Sequence, residues 1–109
     1  MRALVVFCHP RSDSYTGAVL EVVCSSLARA GAEVRVSDLY RRDFEAVLSA
    51  AEWDGYLDAP ANQAGVAQDV LDLRWCDTLV FVYPTWWYGL PALLKGWLDR
   101  VLLPEVAFH

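Results

Sequence analysis

A chain of 109 residues that is 56% hydrophobic and 21% charged is large enough for one domain with its own core, and too apolar to be disordered. Its formal net charge of −5 excludes the basic footprint of non-specific nucleic-acid binding, so an anionic ligand must be held by local dipoles. The three cysteines (Cys8, Cys24 and Cys76) show no CxxC spacing and the two histidines are His9 and His109, so no metal cluster is legible.

The elements follow in chain order. Ala3 to Cys8, ALVVFC, is a continuous apolar run bounded by HPRSDS, which predicts a fully buried strand of a parallel sheet. The run is too short for a secretory leader or a membrane span, and the cysteines read as small buried hydrophobes in a reducing compartment, so a cytoplasmic location is expected. From Ser14 to Arg29 the apolar spacing is helical, with Ser12 or Ser14 as N-cap and Gly31 at the stop. Glu33 to Leu39 alternates, Val34 and Val36 against Arg35 and Ser37, as a half-exposed strand at a sheet edge does.

Arg41 to Pro60 is irregular or short helix, with SAAE at Ser49 to Glu52 as a capping box. Asn62 to Trp75 predicts a second long helix, and TLVFVY from Thr78 to Tyr83 a third, apolar strand. Leu90 to Leu102 has the cleanest helical period, with Pro91 in its first turn, Pro104 after its end, and Gly96 inside it as the mark of a close packing contact. This β-α-β-α-β-α order predicts an α/β, doubly wound parallel sheet with spatial strand order 2-1-3, the start of the flavodoxin-like order.

Ligands of such sheets sit at the carboxyl ends of the strands where the order reverses, here between the first and third strands. Two unusual loops meet there. CHPRSDSYTG opens a helix and offers Ser12, Ser14, Thr16 and backbone N–H groups as a phosphate cradle, with Arg11 or His9 to add charge; plain helix capping is the competing reading. PTWWYG offers Pro84, Thr85, Trp86, Trp87 and Tyr88 as walls for a planar heterocycle, against burial in a core flap or dimer surface. The absence of Walker and GxGxxG patterns disfavours nucleoside triphosphate chemistry and a dinucleotide Rossmann site.

HPRSDSYT, then DLY at Asp38 to Tyr40, then FVYPTWWYGLPALLKGWLDRV together resemble the flavodoxin-like NAD(P)H dehydrogenase (quinone) family over nearly the whole chain. The resemblance implies a flavin enzyme that passes hydride from NAD(P)H to a quinone-like acceptor, with FAD placed ahead of FMN as its flavin. It implies that His9, Ser14, Tyr15 and Thr16 hold the flavin phosphate tail and that Pro84, Thr85, Trp86, Trp87 and Tyr88 border the ring. The family's residues implicated in hydride transfer lie beyond the matched positions, so no catalytic residue is assigned. The expectation is a single flavodoxin-like domain over residues 1–109 that is incomplete at the C-terminus, because TLVFVY reads as an interior strand without a neighbour. A homodimer or a completing polypeptide is the expected partner. A non-catalytic flavodoxin-like module that binds a partner, and simple electron transfer, are the alternatives.

Overall fold

The computed structural model describes residues 1–108. Three parallel strands form one sheet in the order β2-β1-β3, with β1 at Arg2–Phe7, β2 at Glu33–Asp38 and β3 at Thr78–Val82. Val5 of β1 stands opposite Val36 on one side and Val80 on the other. The flavodoxin-like order expected from the apolar and alternating runs is the order found.

Alternation along β1 feeds two cores, because successive side chains point to opposite faces. Leu4, Val6 and Cys8 join Leu39, Val70, Leu94, Trp97 and Val101 on one face. Val5, Phe7 and Val82 meet Val19, Leu20 and Val23 on the other. Helix α1 (Tyr15–Arg29) covers this second face. Helices α3 (Ala67–Trp75) and α4 (Ala92–Val101) cover the first.

Local chemistry explains the boundaries. Ser14, of the two serines proposed, is the N-cap of α1, and its hydroxyl accepts from the Gly17 N–H. Gly31, at φ 85°, closes the helix: its N–H reaches the Ala28 carbonyl and the Ala32 N–H the Leu27 carbonyl. The capping box at Ser49 and Glu52 starts the short α2 (Ala50–Asp54), with both reciprocal bonds at 3.0 Å. Gly96 is needed for packing, since a Cβ there would lie 2.3 Å from the Ala46 carbonyl oxygen.

Three expectations need correction. The helix expected from Asn62 to Trp75 is a 3-10 segment, Ala61–Val66, followed by the shorter α3. Asn62 spends its side-chain amide on the Tyr56 and Pro104 carbonyls, and Gly65 lets the Arg100 guanidinium approach, so tertiary contacts override the helical pattern there. Helix α4 begins at Ala92 and not Leu90, because Pro91 is extended (ψ 145°) and the residue before a proline avoids helical angles. In β2 the expected alternation breaks at Val36 and Ser37: the most buried residue is Ser37, at 6% exposure, whereas Val36 is 47% exposed. Ser37 is drawn inward because its hydroxyl accepts a bond from Arg42. Cys8 is buried, while Cys24 and Cys76 are only half-buried; all three are free thiols.

Candidate functional site

The phosphate-type loop is built by one tight approach. The Ser12 carbonyl comes so close to α1 that a Cβ on Gly17 would lie 1.9 Å from its oxygen. The chain therefore folds over the first turn of the helix only because residue 17 is glycine. Ser14 is used on both sides, donating to the Arg11 carbonyl at 2.7 Å and accepting from Gly17 at 3.0 Å. The Ala18 N–H bonds the Ser14 carbonyl. Among the described residues this leaves the Tyr15 and Thr16 N–H groups as first-turn donors without a partner, at the positive end of the helix.

The charges of this loop are already paired. Arg11 holds Asp13 through Nε and Nη2 at 2.8 and 2.7 Å, which keeps the Asp13 carboxyl below its usual range. The Arg11 N–H donates to His9 Nδ1 at 2.9 Å, so the other ring nitrogen, Nε2, is the one left to carry a hydrogen. The dipole, and not Arg11, is the free anion-binding feature.

The second loop is a tight hairpin. Trp86 and Gly89 exchange two backbone hydrogen bonds, 3.2 and 3.1 Å, around Trp87 and Tyr88. Both central residues are left-handed, φ 51° and 60°, as two-residue turns of the I′ kind require. Such positions ordinarily take Asn or Gly; a bulky aromatic there is strained. Trp87 is 95% and Tyr88 98% exposed, so neither is part of the core.

Between the loops lies an open, mainly apolar cleft of about 610 Å³, within the size range of small-molecule sites. His9, Tyr15, Thr16, Pro84 and Thr85 line it from the two loops, and Val19 and Val23 of α1 and Val80 and Val82 of β3 line the rest. The structure thus brings five of the nine proposed binding residues to one cavity. Trp86 adjoins it through its ring, 6.0 Å from that of His9. Ser14 supports the loop from behind, and Trp87 and Tyr88 project from the hairpin without lining the cleft. A second cleft of about 400 Å³, with a mixed polar and apolar lining, lies on the β2 side of the same loop, between His9, Ser12, Asp38, Tyr40 and Arg41.

The residues present fit a flavin. Partnerless N–H groups at a helix terminus suit its phosphate, and an apolar slot beside a hairpin with free backbone N–H groups suits its ring. Sequence reasoning did not single out Gly17 or the valines of the lining. A glycine in the first turn of an otherwise regular helix is the one sequence signal of the loop's close approach.

The flavodoxin-like fold family matches residues 1–109. The chain is 36% identical over 117 residues to a ribosyldihydronicotinamide dehydrogenase-like protein of Penicillium crustosum, aligned over 93% of this chain and 43% of that protein. It is 32% identical to the ribosyldihydronicotinamide dehydrogenase [quinone] of Homo sapiens, over 98% of this chain and 53% of that one. The solved NAD(P)H:quinone oxidoreductase from Methanothermobacter marburgensis superposes with a TM-score of 0.87 at 36% identity, covering 94% of this chain and 54% of that chain. The chain spans about half the length of these relatives.

Proposed function

Because this chain belongs to the flavodoxin-like fold family, we propose that it is the flavin-holding part of an NAD(P)H:quinone-type oxidoreductase. The observation that carries the reading is the junction of two features at one switch point: partnerless N–H groups at the start of α1, and the apolar cleft that runs from them to the aromatic hairpin. In this reading the Tyr15 and Thr16 N–H groups hold the terminal phosphate, with His9 beside them. Pro84, Thr85 and Trp86 border the ring, and Trp87 and Tyr88 overhang the place where nicotinamide and a quinone-like acceptor meet it. A bound flavin supplies hydride acceptance and donation; the chain's own part is to orient the ring and keep water from one side of it. In this reading FAD is favoured over FMN, supported by the second cleft of about 400 Å³ beside the phosphate loop.

The free edge of β3 supports a second reading, a flavodoxin-like module completed by another polypeptide or by a second copy. Among the described residues β3 pairs only with β1, and Phe81 and Tyr83 are partly exposed beside that edge. The three unpaired thiols suit a cytoplasmic setting. The deciding experiment records the visible spectrum of the supernatant after denaturing the purified protein, and assays NAD(P)H-dependent quinone reduction with FMN or FAD added. Flavin absorbance with turnover supports the enzyme, and flavin without turnover supports the module. Neither flavin nor turnover would overturn both.

A further inference from the structure

Asp69 lies on α3, away from both loops, with 5% exposure. A carboxylate that deep is costly unless its lone pairs are satisfied. Here they receive Arg42 Nη1 at 2.8 Å, Arg42 Nη2 at 3.0 Å and Trp97 Nε1 at 3.1 Å. Neither donor lines the candidate site, but each adjoins an element that does. Arg42 directly follows Asp38, Tyr40 and Arg41, which line the second cleft beside the phosphate loop, and its guanidinium also bonds Ser37 at the end of β2. Trp97 is a fully buried residue of α4, the helix that starts just after the aromatic hairpin, and its ring meets Phe81 of β3 edge-on at 5.9 Å. Asp69 therefore bridges the strand-end loop on one side of the site to the helix and strand that bracket the loop on the other.

We infer that Asp69 is a positioning residue that locks the two walls of the candidate flavin site into one preassembled unit. The inference rests on the flavin reading for its ligand and on the Arg42–Asp69–Trp97 geometry for the coupling. A pair with a merely structural role would affect only how much of the chain is folded. A coupling residue makes each wall respond when the other is occupied.

The geometry also says which changes break the bridge. Asn at position 69 keeps one oxygen for Trp97 but sets an NH2 group against Arg42, so the bidentate bond is lost. Phe at position 97 keeps an aromatic ring and removes the Nε1–H. Nearly every amide from Leu39 to Phe44 is hydrogen-bonded, and the Lys95 N–H bonds the Pro91 carbonyl, so hydrogen exchange can be read in both segments.

The test measures hydrogen exchange by mass spectrometry on the whole chain, with and without saturating FMN, and on FAD in parallel. In the wild type, flavin should slow exchange in residues 39–44 and 92–97 together. In Asp69→Asn it should slow 92–97 only, with flavin affinity about tenfold weaker. Slowing of both segments in the variant, as in the wild type, would overturn the inference. Trp97→Phe gives the same comparison if Asp69→Asn does not fold. Arg35→Met, which breaks the separate ion pair from the middle of β2 to Asp72 on α3 and leaves Asp69 its Arg42 and Trp97 bonds, serves as the control and should leave both responses intact. The ligand-free arm separates the inference from the flavin reading: Asp69→Asn should speed exchange in both segments at once. Acceleration confined to one of them overturns the coupling even if flavin binds. If neither flavin binds the wild type, the flavin reading falls and this arm alone decides the coupling.

Discussion

The Ser12 carbonyl lies where a side chain on Gly17 would have to be, 1.9 Å from the built Cβ position. An ordinary helix gains about 1 kcal/mol when glycine becomes alanine. Here Gly17→Ala should instead lose about 1–3 kcal/mol, the usual range for overpacking, because the obstructing atom is backbone. The loop must lift, and the Tyr15 and Thr16 donors move with it. Flavin affinity should therefore fall further than stability does, which thermal melts of the ligand-free protein and a flavin titration together would reveal. A variant as stable as the wild type would contradict the tight approach.

The exposed aromatic hairpin makes the opposite prediction. Trp87 touches no core and holds a left-handed φ, so Trp87→Gly should leave ligand-free stability within about 1 kcal/mol of the wild type, relief of strain offsetting the added freedom of glycine. If Trp87 overhangs the ring, flavin or acceptor binding should weaken by about tenfold, the scale of an aromatic contact. A marked drop in melting temperature without ligand would show that Trp87 is part of the fold instead.

Cys8 predicts an alkaline limit to stability. Burial raises its thiol from 9.0 to about 11, a shift that the backbone of Leu94 only partly opposes. The folded state therefore favours the protonated thiol. That stability is fully present below pH 9 and drains as pH climbs from 9 to 11, with a slope of at most about 1.4 kcal/mol per pH unit. Urea unfolding at pH 7, 9 and 10.5 should show the fall, and Cys8→Ala should flatten it after correction for its own packing loss. The same burial should make Cys8 the slowest thiol to react with a disulfide reagent, behind the half-buried Cys24 and Cys76.

Acid acts through a different strap. Burial alone would raise the Glu52 carboxyl, but bonds from Arg100 and from the Ser49 N–H outweigh it and hold it below its usual 4.5. Arg100 also donates to the Glu45 carbonyl at 2.7 Å, so this ion pair fastens the segment after β2 to α4. A lowered carboxyl contributes stability above the unfolded value and loses it as pH falls through the folded one. Glu52→Gln should be less stable than the wild type at pH 7, and the difference should shrink below pH 4. A difference that stays constant with pH would assign the residue to capping alone.

The strands and most helices were legible because their patterns are local. β1 is apolar on both faces, the hydroxyl of Ser14 and the freedom of Gly31 bracket α1, and SAAE starts α2. What was not legible depended on partners distant in the chain. Ser37 turns inward for Arg42, and Asn62 and Gly65 abandon the helical pattern for Tyr56, Pro104 and Arg100. The candidate site was found through its two odd loops, yet its lining of valines was read only as core. Asp69 gave no signal beyond being a charged residue on the inner face of a helix. Its role appears only once Arg42 and Trp97 are seen around it.

The outer edge of β3 carries a prediction about association. An unpaired apolar strand beside a cleft lined by Val80 and Val82 invites pairing with another chain. Sedimentation of the 109-residue chain should show a dimer or larger species, with slow hydrogen exchange at residues 78–83 that speeds on dilution. A monomer whose β3 amides exchange slowly at every concentration would refute this.

The proposed function requires one flavin between the start of α1 and the Trp86–Gly89 hairpin. Titrating FMN and FAD into the purified chain, following the quenching of flavin emission, tests it most directly. Saturation is expected at one flavin per chain, with hydrogen exchange slowed in residues 9–17 and 83–91. Absence of quenching with either flavin, or saturation that leaves residues 9–17 and 83–91 unprotected, would contradict it.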